Sequence, residues 1–101
     1  MDTEKISDHL SHTVHNFDEI KIGQTKIATF IYTGKQKIKE IKTSCFCLSV
    51  RKTEFLDRTE IKVMWEVKPT PKINKRSKKT VDIIFDNGDE TSLTLTGIIT
   101  Q

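Results

Sequence analysis

The chain has 101 residues, 35% of them hydrophobic and 31% charged, with a formal net charge of +3. That length gives one domain, burying roughly 60–65% of its unfolded surface, which leaves one modest core and no deep substrate chamber. The mild charge argues against an obligate nucleic-acid partner, where a one-sided basic balance is expected, and no apolar run is long enough to span a bilayer.

Met1 to Asp8 reads as a polar, acidic arm, and residues 9–101 as the domain. The first residues contain no basic stretch followed by an apolar run, so no export signal is expected. His9 to Phe17 reads as a first strand with irregular apolar points at Leu10, Val14 and Phe17. Asp18-Glu19 and Gly23-Gln24 read as turns around a short Ile20/Ile22 alternation. Thr25 to Thr33 is a strand with both faces partly apolar, which places it in the body of a sheet, and Thr33-Gly34-Lys35-Gln36 is a turn. In Lys37 to Ser44, Ile38 and Ile41 stand three apart and break period two. A short helix is one reading. A β-bulge is the better one, because the segment has room for about two helical turns at most.

Cys45 to Lys52 returns to alternation, with Phe46, Leu48 and Val50 against Cys45, Cys47 and Ser49. Thr59 to Lys68 is the organising strand. Ile61, Val63, Trp65 and Val67 alternate with polar positions, the period-two signature of a half-buried strand. It holds the single tryptophan, so the densest packing is expected against it. Pro69-Thr70-Pro71 ends it, since proline cannot donate to a ladder. Lys72 to Lys79 reads as a polar loop and Lys79 to Phe85 as a strand. Asp86-Asn87-Gly88-Asp89 is a tight hairpin turn. Glu90 to Thr100 is the last strand, with Leu93, Leu95, Gly97 and Ile99 inward. About seven short strands with turns between them predict an all-β, immunoglobulin-like antiparallel β-sandwich. Fourteen lysines against three arginines and a single alanine, Ala28, point to A/T-rich codons, a hint of a low-GC bacterium or virus.

From Val14 onward the chain resembles a bacterial immunoglobulin-like domain family of unknown function with a Ser-Cys-Gly-Cys-Thr motif, similar to Hydin-type and major-sperm-protein-like sandwiches. The resemblance rests on Val14-His15-Asn16-Phe17 through Gly23, on Thr25 to Gly34, on Ile38, Ile41 and Ser44-Cys45-Phe46-Cys47, and on Leu93-Thr94-Leu95-Thr96-Gly97-Ile98-Ile99. It covers roughly Val14 to Thr100 and implies the sandwich. Phe46 stands where the family has glycine, Leu48 where it has threonine, and Asp57-Arg58-Thr59 where it has a Pro-Gly turn.

Three groups of residues are candidates for function. Cys45 and Cys47 are two apart. On a strand they would sit roughly 7 Å apart on one face, so a disulfide between them would need strong distortion. A zinc site would need about four converging ligands, and His9, His12 and His15, at spacing three, alternate faces on a strand. Small cysteines packed near the core or a sheet edge are therefore expected, with no metal and no cofactor. The basic run Lys68, Lys72, Lys75, Arg76, Lys78 and Lys79 has no acid among it. It can meet an acidic partner, but it lacks the aromatic residues that stack bases, so nucleic acid is not expected. No catalytic or phosphate-binding motif is present, and carboxylates such as Asp18-Glu19 and Asp89-Glu90 fall in turn contexts.

The sequence thus predicts a non-enzymatic structural or binding protein with a protein partner, no small-molecule substrate and no membrane. The leading expectation is a small virion protein, a bacteriophage capsid decoration or tail accessory. The alternatives are a cellular protein–protein interaction module of the envelope or scaffold type, located in the cytoplasm, and a cytosolic metal-binding module using the cysteines and histidines.

Overall fold

The strand around Trp65 is where the two layers close on each other. The computed structural model describes residues 9–69 and 73–101. The expected arm, residues 1–8, and Lys72 of the basic run lie outside the described residues. Seven strands follow in order: β1 (Val14–Lys21), β2 (Thr25–Tyr32), β3 (Ile38–Thr43), β4 (Leu48–Glu54), β5 (Thr59–Glu66), β6 (Arg76–Phe85) and β7 (Glu90–Thr100). They form a four-stranded sheet, β1-β7-β6-β3, and a three-stranded sheet, β2-β5-β4. This is an all-β sandwich with a strand order compatible with an immunoglobulin-like domain.

The inward residues are those that period two selected. Ile61, Val63, Trp65 and Val67 face Val81, Ile83, Phe85, Leu93, Leu95 and Ile99, and all are buried. β5 pairs β2 on one side and β4 on the other, so it is the central strand of the smaller sheet, and its apolar face is turned to the other layer.

One pairing departs from the antiparallel expectation: β1 runs parallel to β7. The reason is a change of sheet near the start of the domain. Residues 9–11 lie against the edge of β2, with a Leu10–Tyr32 bridge and backbone bonds from Ser11 N to Ile31 O (2.8 Å) and from Thr33 N to His9 O (2.9 Å). The chain then crosses to the other sheet, where Thr13 O accepts from Thr94 N at 2.7 Å. The single strand expected over His9 to Phe17 is therefore two pieces on different sheets.

Both edge strands of the larger sheet carry bulges, a common treatment of exposed edges. In β3 the register shifts between Ile38 and Glu40, which accounts for the spacing of Ile38 and Ile41. In β1 it shifts between Asn16 and Glu19. Asp18-Glu19 is therefore a bulge inside a strand and not a turn. Asp18 takes φ 60°, and its N–H donates to Asn16 Oδ1 at 3.0 Å. The extra residue flips the side-chain parity. Phe17 faces inward before it, and Ile20 and Ile22 face inward after it. Gly97 of β7 lies opposite the bulge, where a Cβ would run into the Ile20 side chain.

The connections gather at two ends. The β1–β2 turn, the β3–β4 turn and the β5–β6 connection share one end. The β2–β3, β4–β5 and β6–β7 loops share the other. At that second end Gly88 takes φ 91°, its N–H donates to Phe85 O at 3.0 Å and Phe85 N donates to Asp89 O at 2.8 Å. The Asn-Gly hairpin is thus a type I turn closed by a glycine bulge.

Candidate functional site

At the first end the sandwich opens into a cleft of about 460 Å³, with Trp65 in its wall. One wall is the turn Ser44–Cys47, which carries the chain from β3 in the larger sheet to β4 in the smaller. It is tied to both. Ser44 exchanges hydrogen bonds with Thr80 of β6, N to O at 3.0 Å and, in return, Thr80 N to Ser44 Oγ at 2.9 Å. Cys47 O accepts from Glu66 N at the end of β5, at 2.9 Å, and Leu48 N closes the turn onto Cys45 O at 3.1 Å.

This overturns the extended placement of Cys45 and Cys47. The segment is a turn, their Cα atoms are 5.2 Å apart, and the two residues form a disulfide. A disulfide is compatible with that Cα separation, whereas the roughly 7 Å of an extended i, i+2 pair is not. Joined to each other, the sulfurs do not offer the thiolates a metal needs. The histidines are elsewhere. His12 and His15 line the seam between β1 and β2, with His12 stacked on Phe30 at 4.5 Å and His15 beside Phe17 at 4.5 Å. The cysteine–histidine metal centre is therefore not assembled. Among the described residues no group of three or more potential metal ligands converges.

The ring closed by this disulfide spans three residues. In the chain-entropy account such a ring stabilises by about 1.6 kcal/mol, against about 4.7 kcal/mol for a 100-residue loop. It is a weak staple on a turn that four backbone or side-chain hydrogen bonds already hold. Phe46, the residue inside the ring, is fully exposed at 104% of its reference surface. It occupies the first corner of the β-turn, where a side chain points away from the body of the protein.

The facing wall is cationic. β6 begins at Arg76, three residues before its expected start, so Arg76, Lys78 and Lys79 belong to a strand and not to a loop. Pairing of Arg76 with Ile98 and of Lys78 with Thr96 fixes them along β7. Arg76 and Lys78 lie on the outer, exposed face, while Lys79 has the inward parity of Val81 and is half-buried at the mouth. Lys68, just past β5, completes the wall. Lys75, in the turn before β6, is exposed but does not line the cleft. Four cations and a single carboxylate, Glu66, thus line the cleft, and among the described residues none of the four cations forms an ion pair. The sequence showed the cysteine pair and the basic run as separate features. The fold brings them to one cleft, and Phe46, read as a strand residue, is the part that sequence reasoning missed.

The other end has its own shallow cleft between Tyr32–Ile38 and Glu54–Thr59. There the Arg58 guanidinium lies over the Phe55 ring, 4.4 Å from its centroid, and pairs with Asp57 at 2.9 Å. A comparison of the chain with protein-family models found no match, and neither did one with curated proteins.

Proposed function

We propose that the chain is a non-enzymatic binding module that docks on an acidic protein surface through its cleft end. The observation that carries this reading is the fully exposed Phe46 lining one cleft with four cations that have no ion-pair partner among the described residues. An exposed aromatic at a turn corner gains roughly 1.5–3 kcal/mol when buried. Interface energy concentrates in such anchors, while surrounding charges set partner choice and encounter rate. Lys68, Arg76 and Lys78 form the steering rim and Phe46 the anchor.

The setting we propose is a large particle: a capsid decoration or tail accessory of a bacteriophage. A β-sandwich fold and an A/T-biased composition support it, by analogy at the level of fold. Kinship with the Ser-Cys-Gly-Cys-Thr family is supported by the all-β sandwich, which that resemblance implies. The position of that family's glycine is here the exposed Phe46. The test is size fractionation of lysate from the source, followed by add-back to particles lacking the protein. The wild-type chain is expected to migrate with megadalton particles and to rebind them, and Phe46→Ala is expected to rebind at least tenfold more weakly. Migration near 11.6 kDa would remove the particle setting and leave a free cellular interaction module.

A further inference from the structure

We propose that Cys45–Cys47 is an exchange-active disulfide that takes an anionic peptide thiol into a mixed disulfide on Cys47. The inference stands on the chemistry of the cleft and does not need the docking reading, since a chain that meets no particle would still exchange.

The disulfide does little for the fold. It closes a three-residue ring on a turn already bonded to both sheets. Both sulfur-bearing residues are only partly buried and both line the cleft, so a small thiol can reach them. The two sulfurs are not equivalent. Cys47 N–H donates to Cys45 Sγ at 3.2 Å, and that amide stays in place to stabilise charge when Cys45 Sγ becomes a thiolate. Exchange favours departure of the better-stabilised thiolate, and cationic surroundings favour thiolates generally. The attack therefore falls on Cys47 Sγ, and Cys45 leaves.

The step balances without an added oxidant. The incoming thiol loses its proton to solvent. Its sulfur lone pair forms the new S–S bond to Cys47, and the electron pair of the Cys45–Cys47 bond departs on Cys45 Sγ. A second thiol then displaces Cys47 from the mixed disulfide, giving the oxidised small disulfide and two reduced cysteines. Lys68, Arg76, Lys78 and Lys79 against Glu66 select the charge of the thiol. A carboxylate-bearing peptide thiol is concentrated in the cleft, and a cationic one is repelled. Phe46 offers an apolar surface next to the reacting sulfurs.

The experiment uses the full oxidised chain and three probes: glutathione, neutral 2-mercaptoethanol and cationic cysteamine. Reduction and adducts are followed by mass spectrometry, with an uncharged model disulfide as reference. At low salt, glutathione is expected to react about tenfold faster, relative to the reference, than the neutral thiol, with cysteamine slowest. The preference should collapse in high salt and in Lys68→Gln/Lys79→Gln. Quenched adducts should map to Cys47. Equal relative rates for the three thiols, a preference indifferent to salt, or adducts chiefly on Cys45 would each overturn the proposal. The salt series needs no variant, so a misfolded mutant cannot decide the outcome.

Discussion

The two ends of the sandwich carry the same kinds of side chain and use them differently. At the hairpin end an aromatic residue and a cation satisfy each other: Arg58 covers Phe55 and pairs with Asp57. At the cleft end the aromatic residue Phe46 faces solvent, and the cations beside it have no ion-pair partner among the described residues. The difference follows from local geometry. Phe55 and Arg58 belong to one short hairpin, where Phe55 N also donates to Arg58 O at 2.8 Å, so their side chains meet. Phe46 is turned outward by a disulfide ring, and three of the four cations sit on β6 across the cleft. The first arrangement is complete in the isolated chain, while the second leaves a surface suited to a partner.

The largest blow to this contrast should come from Trp65→Ala. Trp65 is buried beneath the cleft, and Phe17 packs edge-on to it at 6.2 Å. Truncation should cost about 3–5 kcal/mol in urea unfolding and should collapse the cleft end first in hydrogen exchange. Uniform loss of protection at both ends would mean that the ends are not separable. Next in size is the double variant Cys45→Ala/Cys47→Ala, expected to lose about 1–2 kcal/mol on the three-residue loop argument. A loss near 4 kcal/mol would make the disulfide a true staple. Smaller again is a matched pair. Arg58→Ala should cost about 0.5–1 kcal/mol through the lost contact with Phe55. Phe46→Ala should stay within about 0.5 kcal/mol of wild type, because Phe46 packs on nothing that the fold needs. If Phe46→Ala were the more destabilising of the two, Phe46 would be a structural residue and not an anchor for a partner.

The alternation around Trp65 and in Glu90 to Thr100 was legible because hydrophobic burial acts on every second residue of a strand, and the core residues follow directly. The bulges were half legible. A spacing of three between inward apolar residues marks both, yet only the one at Ile38 and Ile41 reads as a bulge. At Phe17 and Ile20 the intervening Asp18-Glu19 mimics a turn, since the same polar residues favour both. The parallel pairing of β1 with β7 is a long-range choice that no local pattern encodes. The cleft was illegible for a similar reason. The cysteine pair and the basic run are separated by the whole of β4 and β5, and only the sandwich brings them together. The disulfide was misread because alternation extended the strand back to Cys45, while the chain turns there to change sheets.

Protons should act on one region and spare the other. His12 sits on the β1–β2 seam near the hairpin end, stacked on buried Phe30 and 5.7 Å from His15. Burial, and then the charge of His15, hold its pKa below the ordinary 6.5. The folded chain therefore binds this proton less readily than the unfolded chain, and stability rises with pH wherever the unfolded state holds more protons. The contribution is complete above about pH 6.5 and is lost as pH falls through that value, levelling off only below the folded-state pKa. The cleft is lined by no imidazole. Thermal unfolding from pH 8 to 5 should thus show a modest decline that His12→Phe flattens, since phenylalanine keeps a ring against Phe30 and cannot be charged. Backbone amide shifts over the same range should move around Ser11 to His15 and Phe30, while those of Cys45 to Leu48 hold still. An unchanged slope in His12→Phe, or movement centred on the disulfide turn, would place the acid-sensitive element at the cleft and dissolve the distinction between the two ends.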